Sequence, residues 1–232
     1  MNKIFLSLAF FASFIFADSF AESKRILTKF YAENPQFMQD FYCNAPFRIV
    51  KNKLEIIPSE AYSPRNPKTK KGQINQRARF IEWEHIMPAH NFGKHLLCWR
   101  QGGRKACQKD KIFQKMEADL QNLAPAIGEI NEDRNNYRYA QSPKYTRFGQ
   151  YGKCKVFTDF KGKRFYPADY SKGWIARSYL YMSKTYNIRL SSQEKKLMES
   201  WSKKYPMNER EKAFREFATN QNSHIENSSD KQ

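Results

Sequence analysis

Four cysteines, Cys43, Cys98, Cys107 and Cys154, set the tightest constraint on how this chain can fold, because their chemistry depends on the compartment they reach. The N-terminus points to export: Met1-Asn2-Lys3 precedes an apolar run from Ile4 to Ala17, the length of a signal-peptide core and too short for an ordinary membrane-spanning helix. Ala17 and Ala21 both supply small residues for cleavage; Ala21 is favoured, giving a signal peptide over 1–21 and a mature region over 22–232. The competing reading is an uncleaved anchor. In an oxidising compartment an even number of cysteines predicts two disulfides. Cys98 pairs with Cys107 across a Gly102-Gly103 that can turn the chain, which leaves Cys43 for Cys154. A zinc site is the weaker alternative, since no two cysteines have knuckle spacing.

The chain has 232 residues, enough for a proper core, and 41 Lys and Arg against 23 acids give a formal charge of +18. With 40% hydrophobic and 16% aromatic residues it is folded, not disordered, and its charge predicts a polyanionic partner: nucleic acid, anionic lipid or acidic polysaccharide.

The periodicity predicts one mixed α+β domain with a helical C-terminal layer. A short amphipathic helix spans Ser23 to Phe30, and Phe41-Tyr42-Cys43 opens an anchored segment. Ser63 to Arg79 carries six basic residues, no acid, two prolines and a glycine, so it is expected as an exposed basic loop. Arg79 to His85 reads as a strand ending at Pro88. Ile112, Phe113, Met116, Leu120 and Leu123 predict a helix behind Asp110 that stops at Pro125, and a short helix is expected over Ile127 to Asn135. Lys153 to Phe165 reads as two strands turning near Lys161-Gly162-Lys163. Trp174, Ile175, Tyr179, Met182 and Tyr186 mark a helix, Ser191 with Glu194 a capping box before Leu197 and Trp201, and Ala213, Phe214 and Phe217 a further helix.

The chemistry concentrates in Glu82-Trp83-Glu84-His85, Cys98-Trp99, Gly102-Gly103-Arg104-Lys105, Lys115-Met116-Glu117, Gln121-Asn122-Leu123 and Gly128-Glu129-Ile130-Asn131 with Asp133-Arg134. In this order these blocks resemble the endonuclease I family, exported bacterial nucleases with a ββα-metal (His-Me finger) active site, and the resemblance runs from about Phe41 to Asn227. Splitting a phosphodiester needs a base, positive charge on the phosphorane and help for the leaving oxygen. His85 stands beside an acid and titrates near neutrality, so it is assigned the general base. Glu84 and Asn131 offer a carboxylate and an amide oxygen suited to one Mg²⁺, with Mn²⁺ or Ca²⁺ as alternatives, and the resemblance matches both to the family's metal ligands. Adjacent strand residues point to opposite faces, so this pairing needs a bend, which Pro88 could supply. Asn122 is the second choice of ligand.

Arg104, behind two glycines, is expected on the scissile phosphate, with Arg134 and Lys105 also on substrate. Glu82 and Glu117 are expected to orient an arginine or a coordinated water. His90 and His95, spaced five apart from His85, read as bystanders. Two positions depart from the family pattern: Asn44-Ala45-Pro46 stands where a second cysteine follows the first, and Glu132 replaces a glycine after Asn131.

The basic loop, the Lys153 to Arg164 hairpin and Arg138 add phosphate contacts without any base-reading module, so cleavage should be largely independent of sequence. The resemblance implies DNA as substrate, RNA as a second one and 5′-phosphate ends; the leader predicts a periplasmic or secreted location with no stable membrane insertion after its cleavage, and a monomer is expected. Two other readings stay open: a non-catalytic binder of DNA or lipopolysaccharide, and a metalloenzyme acting on a different phosphodiester.

Overall fold

The strand anticipated at the Glu-His pair forms as β3 (Ile81–His85) and pairs antiparallel with β4 (Leu123–Ile127), Glu84 facing Ala124 and His85 facing Leu123. The structure, a computed structural model, describes residues 19–229, with side chains as far as residue 221. Nearly all of the expected signal peptide lies outside the described residues. Its last three residues lie inside the fold: the Ser19 side chain accepts from the Glu22 N–H and caps α1 (Phe20–Glu33), which begins earlier than the periodicity indicates.

The helix expected through Leu123 is shorter than its apolar stripe. α4 (Lys111–Ala118) starts under an Asp110 cap, but Asp119 adopts extended backbone and caps a 3-10 turn over Leu120–Asn122. The chain then runs straight into β4, so Pro125 sits within a strand instead of stopping a helix. The strand tolerates it because only one neighbour is paired: the Phe41 N–H donates to the Pro125 carbonyl (2.7 Å), and the Ile127 N–H donates to Asp40 (3.0 Å), so the FYC segment satisfies the outer edge. β4 leads directly into α5 (Gly128–Arg134). A β3–β4–α5 unit thus carries Glu82, Glu84, His85 and Asn131 within one antiparallel ribbon and the helix behind it.

The remaining elements support this unit. β1 (Phe47–Val50) and β2 (Lys53–Ile56) form a hairpin whose turn residues Lys51 and Asn52 both have positive φ. The short α2 (Ala89–Gly93) follows β3, and α3 (Leu97–Cys107) breaks at Gly102-Gly103, where Gly103 has φ +64°. That break lets Cys98 bond Cys107, and Cys43 bonds Cys154, the two expected disulfides. β5 (Arg138–Tyr139), β7 (Arg164–Tyr166) and β6 (Phe157–Asp159) form a three-stranded sheet, with the expected hairpin between β6 and β7 and β5 added parallel to β7.

The C-terminal layer consists of α6 (Asp169–Thr185), α7 (Ser192–Lys204) and α8 (Glu209–Ser229), and Ser191 caps α7 as its capping box indicates. Trp174 on α6 packs against Phe41 and Phe214, joining the helical layer to the core behind the ribbon. The architecture is α+β. Among the described residues no helix is long and apolar enough to cross a membrane.

Candidate active site

A cavity of about 860 Å³ opens at the end of the β3–β4 ribbon, and Glu84, His85, Arg104 and Asn131 all line it. Glu84 and His85 share it although they are sequence neighbours: the cavity is lined by all of β3, from Ile81 to His85, and by Pro88, Ala89 and His90 just beyond it.

His85 is buried against Phe92 and half-buried Phe20, whose ring centroid lies 4.7 Å from the imidazole. Its Nε2 lies 2.8 Å from the Glu117 carbonyl oxygen. A carbonyl only accepts, so Nε2 carries the hydrogen and Nδ1 of the neutral ring keeps a free lone pair. His85 does not titrate near neutrality as its residue type suggests: burial, reinforced by the charges of Arg104 and Arg134, lowers its pKa to about 4 against the pull of the Glu117 bond, so the ring is neutral at physiological pH.

Glu84 is buried and accepts from Tyr42 (2.7 Å) and Arg134 (2.9 Å), both on Oε1, while Tyr42 also bonds Tyr139 (2.6 Å). Burial raises its pKa to about 7, partly offset by Arg134 and Tyr42. On α5, the Asn131 amide nitrogen donates to Glu82 (3.3 Å), an assignment set by the hydrogen-bond pattern that leaves Oδ1 as an acceptor. Glu84 Oε2 and Asn131 Oδ1 are therefore two oxygen donors on one cavity, one anionic and one neutral. This donor set fits a hard divalent cation that keeps waters and takes phosphate oxygens as its other ligands.

Arg104 emerges just beyond the Gly102-Gly103 break with its side chain 47% exposed; its Nε donates to Glu117 Oε1 (2.6 Å), which leaves both Nη groups open. Glu117 thus holds His85 through its carbonyl and Arg104 through its carboxylate. Glu82 accepts from Arg77 (2.5 Å) and from Asn131. Glu132, the departure from the family's glycine, pairs with Arg77 as well (3.3 Å).

Arg134 departs from expectation. It is 0% exposed, its donors go to Glu84 and to the carbonyls of His85 (3.1 Å) and Ile86 (2.7 Å), and its guanidinium lies 4.4 Å from the Tyr139 ring centroid. Both of its Nη nitrogens are engaged by these groups and its buried Nε meets no acceptor, so Arg134 braces Glu84 and the end of β3 in the cavity wall and is not exposed to reach along a DNA backbone. Asn122 is likewise withdrawn: its amide bonds both N–H and C=O of Met87 and fixes the chain just after His85. Lys105 is exposed but does not line the cavity. His90 is on the rim and His95 is exposed; among the described residues no three His, Cys, Asp or Glu side chains gather into a metal cage, and every described cysteine is disulfide-bonded. The basic loop is also less free than expected, because Arg65 is turned inward onto Asp133 (2.6 Å) and Arg77 onto Glu82, while Lys68, Lys70 and Lys71 remain exposed.

Sequence reasoning missed Phe20, Tyr42 and Arg77. Tyr42 stood in the FYC block, but nothing in local spacing links it to a carboxylate 42 residues away.

The family model for Endonuclease I matches residues 20–229. The chain belongs to the endonuclease I family. Relatives include a periplasmic deoxyribonuclease of Aeromonas hydrophila, 44% identical over 192 residues, spanning 82% of this chain and 76% of the relative. An Endonuclease-1 of Buchnera aphidicola subsp. Baizongia pistaciae is 55% identical over 129 residues, 56% of this chain and 53% of that protein. An extracellular deoxyribonuclease of Aeromonas hydrophila is 42% identical over 190 residues, 81% of this chain and 77% of the relative.

Proposed function

We propose that this member of the endonuclease I family is an exported, divalent-metal-dependent endonuclease that hydrolyses DNA with little regard to sequence, and that β3–β4–α5 is its ββα-metal unit. Export rests on the leader-like 1–21 and on relatives named periplasmic or extracellular. DNA as substrate rests on their being named deoxyribonucleases, together with the charge of +18; RNA is a second substrate to assay. The mature region acts as a single nuclease domain and a monomer.

One observation carries the mechanism: a buried, neutral imidazole with its Nδ1 lone pair free opens on the same cavity as two oxygen donors and a half-exposed arginine. His85 Nδ1 takes a proton from water as the water oxygen attacks phosphorus in line. The P–O3′ bond breaks, the departing 3′ oxygen takes a proton from solvent water, His85 returns its proton to solvent, and the new oxygen stays on phosphorus as a 5′-phosphate. Arg104 grips non-bridging oxygens with its open Nη groups while Glu117 keeps it and His85 in register. Glu84 and Asn131 hold Mg²⁺, or Mn²⁺ or Ca²⁺ in its place, which when bound supplies positive charge to the phosphate and the leaving oxygen. Glu82 keeps Asn131 turned so that its amide oxygen is the free end. Lys68, Lys70, Lys71, Lys105, Arg138 and the basic side chains of the 153–164 hairpin, Lys153, Lys155, Lys161, Lys163 and Arg164, are exposed and contact the backbone outside the cavity.

Incubating the oxidised protein with supercoiled plasmid, with Mg²⁺ or with chelator, tests this reading. Nicking that requires the metal, leaves ligatable 5′-phosphates and shifts to higher metal demand in Glu84→Gln and Asn131→Ala is the expected result. A protein that retards plasmid on a gel yet cuts under no divalent metal would be a polyanion binder instead.

A further inference from the structure

The Phe20 ring stands between two groups that the proposed mechanism uses. Its centroid is 4.7 Å from that of the His85 ring and 5.7 Å from the Arg104 guanidinium carbon, and the Lys24 ammonium lies 5.0 Å away. Phe20 lines both the main cavity and a smaller one beside it, between Arg104 and Glu117. These contacts close a ring of interactions: Phe20 to the His85 imidazole, His85 to the Glu117 carbonyl, the Glu117 carboxylate to Arg104, and Arg104 back over Phe20.

The first turn of α1 fixes the position of Phe20. Ser19 caps the helix through the Glu22 N–H, and the buried Ser23 hydroxyl donates to the Ala118 carbonyl (2.6 Å), one residue from Glu117. The N-terminal helix is thereby pinned to the end of α4, and its first residue is delivered to the cavity. Half-exposed Arg104 has one other described anchor, the Glu117 carboxylate, and without an aromatic face it is free to swing about that bond.

We propose that Phe20 is a positioning residue of the active site, holding His85 and Arg104 in register, and that the working enzyme therefore retains Ser19 and Phe20. The first part rests on the roles given above to His85 and Arg104. The second separates the two candidate cleavage points: a cut after Ala17 preserves the ring of contacts, whereas a cut after Ala21 removes both Phe20 and the helix cap.

The test expresses the full chain with export, determines the intact mass of the product, and compares wild type with Phe20→Leu, Phe20→Tyr, His85→Ala and a deletion of residues 18–21. Thermal unfolding and DNA affinity in chelator are measured alongside kcat and KM. The expected mature mass includes Phe20. Phe20→Leu and the deletion are expected to fold and bind DNA but to lose at least about tenfold in kcat with KM within about twofold, as small misplacements of reacting groups do. Phe20→Tyr, which keeps the ring, is expected within about threefold of wild type. A mature mass beginning at Glu22, unchanged kcat in Phe20→Leu, or a loss that tracks unfolding or KM alone would overturn the proposal. If His85→Ala is inactive while Phe20→Leu matches wild type, this proposal falls and the nuclease reading stands; if His85→Ala cuts normally, the nuclease reading falls and takes this proposal with it.

Discussion

Glu84 and His85 are neighbours in the chain, yet burial moves their proton affinities in opposite senses, to about 7 and about 4. Below neutrality Glu84 takes up a proton and loses its anionic oxygen, whereas His85 stays unprotonated and able to act as a base. The acid limb of the rate profile should therefore lie near pH 7 at low Mg²⁺ and move to lower pH as Mg²⁺ is raised, because cation and proton compete for Glu84. Rates across pH 5.5–8.5 at two metal concentrations check this; a limb that ignores metal would assign it to His85 instead. Arg134→Met should cost about 3–5 kcal/mol in urea unfolding, since it strands the buried Glu84 carboxylate and two carbonyls. At this scale the sequence told which residue types could do the chemistry, because WEH, GGRK and GEIN are local patterns. It did not tell which arginine faces solvent: Arg104 and Arg134 look alike in a basic chain, and only contacts made across about fifty residues bury one of them.

Among the elements, the β3–β4–α5 unit was half legible. β3 was readable from its alternation and α5 was expected as a short helix, but β4 reads LAPAI, a short buried apolar run with a central proline, which looks like the tail of the preceding helical stripe. What converts it to strand is the Asp119 cap before it and the FYC segment beside it. Gly128, at the junction of β4 and α5, shows how tightly the unit is closed: a Cβ there would lie 2.8 Å from both the Arg77 carbonyl oxygen and Glu82 Oε1. The Glu82 side chain can swing aside but the Arg77 backbone cannot do so cheaply. Gly128→Ala should therefore destabilise the protein by about 1–3 kcal/mol and, by displacing Glu82 from Asn131, raise the Mg²⁺ concentration needed for half-maximal nicking. Unfolding and metal titration of this one variant would reveal whether the two effects appear together.

The whole molecule is a charged shell around a stapled core. Its +18 charge, legible from composition, predicts that DNA affinity falls linearly in log–log form with salt, and affinity measured between 50 and 200 mM NaCl should drop by orders of magnitude. The cysteine pairing was equally readable, since the glycine pair turns the short loop and leaves one partner for Cys43. The Cys43–Cys154 bond closes a separation of 111 residues and ties the FYC segment, with Tyr42 beside Glu84, to the three-stranded sheet. Its reduction should cost about 4–5 kcal/mol on chain-entropy grounds and loosen that support, so nicking by reduced protein should fall along with its folded fraction. Such a protein would be active only where its disulfides can form. The central claim, that buried neutral His85 activates the attacking water, is tested most directly by single-turnover cleavage of duplex DNA at saturating Mg²⁺, with DNA affinity measured in chelator. His85→Ala should lose about a hundredfold or more in rate while binding DNA within about twofold of wild type. Cleavage by the variant at the wild-type rate, or a loss that merely follows weaker binding, would contradict the account.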